Sequence, residues 1–465
     1  MRYIYLLINC LLVSFVLNAQ EKLNLEQCRQ MALENNKQRA ISGKNTEKAA
    51  LDVKSYRANY LPKLSASGMY YLSSSKSEMS IPGGYLPTFV PDANGNLVPN
   101  IIPGTESNPV FKEYALMPDM PLELNLNKTF MGGVSLEQPL YAGGKISAAY
   151  EMSRIGEKIA RTNQELTRTE VIIETDQAYW TCIQVRELHQ TALSYKSVIE
   201  ELMRNVENAY DAGLKQRNDV LKVQVKLNEA ELQLRRADNA IRLASMNLCQ
   251  VIGLPLHTNL DLLDSFPDDS NSLSSLNNLP GADITGRPEY TMLSQIIDLK
   301  NQEIKLSRSD YLPTIGVKAG YNYWDGLYLN DDKLLSKGSF SAIVSVNIPI
   351  FEWGKGRNKV HAARIEKNIA ELQRMDTEEK MTLEIVQAQN ALDEAQFEVE
   401  LTARSLSQAE ENMRLSKNMY EGGMETLADY LETQTAWMNA GANYVNVRAK
   451  LELSKVEYLK AAGKL

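Results

Sequence analysis

YDAGLKQRNDVLKVQ, residues 210–224, and YEGGMETLADYLETQ, residues 420–434, are one stretch written twice. Tyr210/Tyr420, Gly213/Gly423, Asp219/Asp429, Leu221/Leu431 and Gln224/Gln434 keep the same spacing. Each stretch interrupts a very long helical pattern. Gly ends helices readily because, lacking a Cβ, it adopts the left-handed turn at no steric cost. An Asp six residues later stands where an N-cap or first-turn acid opens the next helix. Each copy therefore reads as the tip of a helical hairpin.

The duplication reaches outward from the tips. Tyr311-Leu312-Pro313 repeats Tyr60-Leu61-Pro62, Pro349-Ile350-Phe351 repeats Pro139-Leu140-Tyr141, and Gly354-Lys355 repeats Gly144-Lys145. Pro139 and Pro349 lie 210 positions apart, as do Tyr210 and Tyr420. The span from strand end to tip thus has one length in both copies, so both long helices must reach the same depth. Self-similarity on this scale is the main organisational signal.

One repeat reads helix, strand, loop, strand, very long helix, tip, helix. Residues 20–255 form the first repeat, with a helix over 23–59, strands 62–72 and 131–141, a long helix 143–210 and a return helix 219–252. A linker over 256–286 follows, rich in Asp, Ser, Asn and Pro, expected as an equatorial belt beside the helices. Residues 287–465 form the second repeat, with strands 313–324 and 339–351, a long helix 355–419 and a return helix 427–462. Turn signals (PGG, ANGN, NP) make 73–128 a long surface loop. A shorter loop is expected over 325–337. Ile155, Ile159, Leu166, Ile173, Tyr179, Ile183, Leu188, Leu202 and Val206 mark an apolar stripe on the first long helix, about 100 Å long at 1.5 Å per residue. A helix of that length needs coiled-coil-like partners.

The formal net charge of the 465-residue chain is −8, which indicates no nucleic-acid partner. Residues 1–19 read as a signal peptide: Arg2, an apolar run Ile4–Leu17, then Ala19. Asn9 before Cys10 argues against lipidation. No other run is apolar and long enough to cross a bilayer as a helix. Cys28, Cys182 and Cys249 show no metal-ligand spacing and are expected as buried free thiols. The three His are scattered, so no metal site is expected, and no cofactor either.

The strands carry the membrane argument. Leu64, Ala66, Gly68 and Tyr70 alternate with Ser65, Ser67 and Tyr71; Ile315, Val317, Ala319, Tyr321 and Tyr323 alternate with Lys318 and Asn322. One greasy and one wet face suit the wall of a membrane β-barrel. An open sheet edge is not tolerated in lipid. Four strands cannot close alone, so several chains must pool them. Trp324 and Trp353, at opposite ends of the strand region, suit an aromatic girdle. A ring of strands should continue as a ring of helices, with the tips at its far mouth.

The YxxG(x5)D(x)L tips, the two YLP tripeptides, Gly253-Leu254-Pro255, Arg287-Pro288-Glu289 and the tandem duplication together resemble the outer-membrane efflux protein family, the TolC-like channels. The likeness covers essentially the whole mature chain. It implies a mainly α protein with a membrane β-barrel portion: a homotrimer with a twelve-stranded barrel and an α-helical periplasmic tunnel. It also implies a periplasmic adaptor (membrane fusion protein) and an inner-membrane pump as partners.

By the same resemblance, Tyr420 matches a tunnel-gate tyrosine and Asp219 the aspartate that holds it by a hydrogen bond. Asp429 and Glu432 match an acidic ring at the gate; spaced i, i+3, they share a helix face. Tyr210, Gly213 and Gly423 lie at tips that meet the adaptor. Glu425 departs from the pattern, standing where some relatives carry a gate-bridging Arg. Helix capping and hairpin packing are the plainer roles for the Asp and Tyr residues. The expected function is a passive outer-membrane exit duct of a tripartite efflux or secretion system. The competing reading is a trimeric, membrane-anchored structural or adhesive coiled-coil protein without conductance. No nucleophile–base or phosphate-loop constellation suggests an enzyme: Gly144-Lys145 lacks the rest of a phosphate loop.

Overall fold

The computed structural model describes residues 22–74, 76–125, 127–263, 265–267, 283–330 and 332–465. The expected signal peptide (residues 1–19) and, of the 256–286 linker, residues 264 and 268–282 lie outside the described residues. The chain divides into two compact units, one within Met1–Lys54, Tyr150–Ile304 and His361–Leu465, the other comprising Ser55–Ala149 and Lys305–Val360.

Among the described residues the α-helices, in chain order, are α1 (Leu25–Asn35), α2 (Lys37–Ala58), α3 (Lys145–Asp211), α4 (Arg217–Ile252), α5 (Pro288–Ser309), α6 (Lys355–Glu421) and α7 (Leu427–Ala461). Helices α3 and α6 each have 67 residues, about 100 Å at the α-helical rise. The expected unbroken helix over 23–59 is two helices. Asn24 and Gln27 form a capping box that starts α1. Asn36 then leaves helical geometry with ψ 131. Its side chain accepts from the Gln38 N–H at 2.8 Å and donates to the Val251 carbonyl at 2.9 Å. One buried amide thus caps α2 and fastens the break to α4, a use of Asn that competes with helix continuation.

Among the described residues the helical unit has three apolar cores. One joins Cys28 and Ala32 of α1, Tyr179, Trp180 and Ile183 of α3, Leu248 and Ile252 of α4, and Val445 and Ala449 of α7. Phe266 of the linker stacks on Trp180, ring centroids 5.8 Å apart. Arg448 donates to the Phe266 and Pro267 carbonyls. This described piece of the linker is therefore packed on the helices. A second core joins Leu392, Ala395 and Val399 of α6 to Leu451 and Tyr458 of α7. The third lies at the tips. Cys28, Cys182 and Cys249 are free and buried; burial pushes the Cys182 thiol up to about 12, so it is inert as a nucleophile at neutral pH.

The strand unit corrects three expectations. The stretch 73–128 is not a loop. Strands β1 (Lys63–Tyr71), β2 (Lys76–Ile81), β3 (Gly84–Pro87) and β4 (Phe89–Pro91) run out, and β5 (Leu97–Pro99), β6 (Tyr114–Met117), β7 (Met120–Asn125) and β8 (Thr129–Ala142) return. Their pairs nest as β4–β5, β3–β6, β2–β7 and β1–β8, all antiparallel, so one interrupted hairpin turns over at Asp92–Asn96. Asp92 accepts from the Asn94 and Asn96 N–H groups there. The turn signals were breaks along this arm. Nor is 325–337 a loop: β9 (Thr314–Leu329) and β10 (Asp332–Asn347) pair from Asp332↔Leu329 onward, with Asn330 at φ 51. Lys333 pairs with Asp325 across that hairpin. Consequently Trp324 sits inside β9, opposite Met131 and Lys337, and not at a strand end. The four expected strands are β1, β8, β9 and β10, and they lie in a six-stranded main sheet, β1-β8-β9-β7-β2 with β10 on β9, beside two short pairs.

Register makes the main sheet two-faced. Leu64, Leu136, Ala319 and Ala342 align across β1, β8, β9 and β10, as do Ala66, Val134, Tyr321 and Phe340. On the other face Ser65 meets Ser135 at 3.0 Å and Glu137 meets Lys318 at 3.8 Å. Strand alternation requires this sorting once the register is set. The apolar rows are exposed: Leu64 70%, Phe340 73% and Val344 69%. No described helix is long and apolar enough to cross a membrane.

Candidate gate at the hairpin tips

Both tips close by the same hydrogen bonds. At the first, the Gly213 N–H donates to the Tyr210 carbonyl (2.8 Å) and the Leu214 N–H to Ala209 (2.8 Å). At the second, Gly423 donates to Tyr420 (3.1 Å) and Met424 to Met419 (2.8 Å). This pattern closes a helix C-terminus around a left-handed residue, and φ is 78° at Gly213 and 71° at Gly423. A Cβ there would cost about 1–2 kcal/mol in backbone strain.

The helices leave the tips differently. Thr426 caps α7: its hydroxyl accepts from the Asp429 N–H at 3.3 Å and donates to the Asp429 carboxylate at 2.6 Å. Gln216 precedes α4, where its own N–H donates to Asp219 at 3.4 Å. Both acids therefore stand in first turns, where the helix dipole favours them. Asp429 and Glu432 are both exposed on α7, and Glu432 lines a groove with Lys222, Lys226 and Leu431.

The two tyrosines also differ. Tyr210 is 42% exposed. Tyr420 is half-buried and stacks on Tyr430, ring centroids 4.9 Å apart and 15° from parallel. The repeat-mate of Tyr430 is Val220, which offers Tyr210 no ring. Beneath lie Ile199, Leu202, Met203 and Val206 of α3, Val223 of α4, and Leu427 and Leu431 of α7. The Gln434 amide is fully buried and lies near the Tyr430 hydroxyl, outside hydrogen-bonding geometry.

The expected hydrogen bond from Tyr420 to Asp219 is absent among the described residues. The two are near enough to interact: the Tyr420 phenol is pushed up from its ordinary value, first by burial and then by the Asp219 carboxylate. Two contacts absent from the sequence reading reach α6 instead. Lys417 pairs with Glu201 of α3 at 3.2 Å, and Lys215 of the first tip lies over the Tyr420 ring, 4.9 Å from its centroid. Glu425 turns back on its own hairpin, where the Ser416 hydroxyl donates to it at 2.7 Å. Spacing alone could not single out Lys215, because its partner is a ring on the other repeat.

A duplicated chain with long helical hairpins and a two-faced antiparallel sheet has the make-up of the outer-membrane efflux proteins, and the family comparison bears this out. The model of the outer membrane efflux protein family matches residues 28–254 and 286–464, and the chain belongs to that family. It is similar to protein CyaE of Bordetella pertussis, 23% identical over 354 residues (71% of this chain, 70% of that one). It is likewise similar to the alkaline protease secretion protein AprF of Pseudomonas aeruginosa, 20% identical over 351 residues (72% and 69%). In fold it matches the CmeC outer membrane channel of Campylobacter jejuni with a TM-score of 0.69 at 19% identity, covering 95% of this chain and 85% of CmeC. Its place is the outer membrane, as an efflux protein.

Proposed function

We propose that this chain is the passive outer-membrane exit duct of a tripartite efflux or secretion system, and that it works as a homotrimer. The carrying observation is the sheet. Among the described strands, β1 pairs only with β8 and β10 only with β9, so both outer edges are open while one face is greasy. Unpaired N–H and C=O groups in lipid cost several kcal/mol each. Three copies placing β10 beside the next β1 close the edges of the four long strands β1, β8, β9 and β10 and give a barrel of four long strands per chain.

Unsatisfied surface supports the same reading. Helix α6 leaves Leu372, Leu383, Phe397, Leu401 and Leu415 exposed, an apolar stripe that neighbouring copies would cover.

In that assembly the tips form the distal mouth. Tyr420 and Asp219 act at the gate. Asp429 and Glu432 supply six carboxylates around the axis, favouring cations. Tyr210, Gly213 and Gly423 present the tip surface to a periplasmic adaptor, and an inner-membrane pump supplies the energy. No enzymatic step is assigned to the chain. Purified protein in a planar bilayer should give cation-preferring conductance steps. A protein that inserts and never conducts would favour the structural stalk.

A further inference from the structure

We propose that Lys215 is the positioning residue that ties the first tip to the second, through the face of the Tyr420 ring and not through its hydroxyl. This rests on the reading of the tips as a duct's gate. Lys215 Nζ lies 4.9 Å from the ring centroid, inside the roughly 6 Å over which an ammonium is drawn to an aromatic face. Among the described residues it forms no ion pair that would compete. The ring is held for it by the stack on Tyr430. Lys215, Tyr420, Tyr430, Glu201 and Lys417 all line one cavity of about 410 Å³ between α3, α6 and α7.

The alternatives are weaker on the same geometry. The Asp219 carboxylate is engaged by the Gln216 N–H and makes no hydrogen bond to the phenol. Lys417 and Glu201 do bridge α6 and α3, but their side chains are 42% and 53% exposed, where water and salt screen an ion pair. The repeat-mate of Lys215 is Glu425, whose charge is spent inside its own hairpin on Ser416. The lysine therefore supplies between tips what Glu425 does not.

The test is single-channel recording of the purified full-length protein, wild type beside Lys215→Met, Lys215→Gln, Lys215→Arg and Tyr420→Phe, each checked for unchanged thermal unfolding. Losing one cation–π tie should raise the open-to-closed ratio about fivefold per protomer in Lys215→Met and Lys215→Gln. Lys215→Arg, which keeps the cation, should behave as wild type, and Tyr420→Phe, which keeps the ring, should open less than Lys215→Met. Unchanged gating in both charge-removing variants overturns the proposal. So does Tyr420→Phe opening as far as Lys215→Met, which would place the lock on the hydroxyl. Silence in every protein, wild type included, sinks the duct reading and the inference with it; a conducting wild type confines any failure to Lys215.

Discussion

Helices α3 and α6 have the same length, start 210 residues apart and end 210 residues apart, yet they are buried differently. On α3, Asp176, Tyr179, Trp180 and Ile183 are sealed into the unit. Their repeat-mates on α6 are Val386, Gln389, Asn390 and Asp393, with Val386 51% exposed. At the tips, Ile199 and Val206 of α3 are buried apolar residues, whereas their mates are Ala409, half-buried, and Ser416, buried but polar. Duplication preserved reach and tip geometry, which a common depth demands. It did not preserve the inward face. Helix α3 is the spine of its own protomer; α6 keeps fewer partners at home and offers its apolar side elsewhere.

The largest expected break in this comparison is at one repeat position. Tyr179→Ala should cost about 4 kcal/mol, since the ring is fully buried, whereas Gln389→Ala should stay within about 0.5 kcal/mol. Urea midpoints followed by helical circular dichroism check the contrast; equal losses would refute it.

Next comes the charge that only α3 buries. Arg29 holds Asp176 through two bonds of 2.7 and 2.6 Å, and the Asp176 side chain is 0% exposed. Burial pushes its carboxyl up despite that partner. Arg29→Met should cost about 3 kcal/mol by leaving the acid unpaired, measured in the same melts. The mate, Val386, has no such dependence.

The tips sharpen the comparison at lower energy. Thr426→Ala removes a side-chain cap and should cost about 1 kcal/mol. At the equivalent position Gln216→Ala leaves the Asp219 bond to the backbone N–H in place and should cost a few tenths. Amide exchange in the first turns of α7 and α4 reads the difference.

The smallest effect is pH-dependent. Asp310 replaces what is Asn59 in the first copy, and it pairs with Lys359 at 2.8 Å and Lys145 at 3.9 Å. Lys359 holds the Asp310 carboxyl below its ordinary 3.8. A depressed folded-state value stabilises above the unfolded value and is lost as pH falls through the folded one. Wild type should thus lead Asp310→Asn slightly at neutral pH, with the lead shrinking below about pH 4. A lead that grows on acidification would reverse the assigned sign.

How much of this was legible follows the period of each signal. Long helices show themselves because an apolar stripe repeats over many turns, and the tips because Gly and Asp recur at a fixed interval. The arm over 73–128 hid because its strands are short, carry Pro, and find partners up to about fifty residues away in nested order, which no local window reveals. The end of the β9–β10 hairpin hid behind polar residues such as Lys333 and Asp325, which pair across strands instead of looping. The Asn36 break needed the Val251 carbonyl, and Lys215 needed the Tyr420 ring; each partner belongs to another element. At the tips, Tyr420 and Asp219 were legible as neighbours, but no hydrogen bond joins them among the described residues.

The most direct test of the account is the mass of the detergent-solubilised mature protein by native mass spectrometry. The proposed shared barrel predicts three chains in one particle. A stable single chain carrying a closed barrel would contradict the shared wall, and with it the duct and its gate.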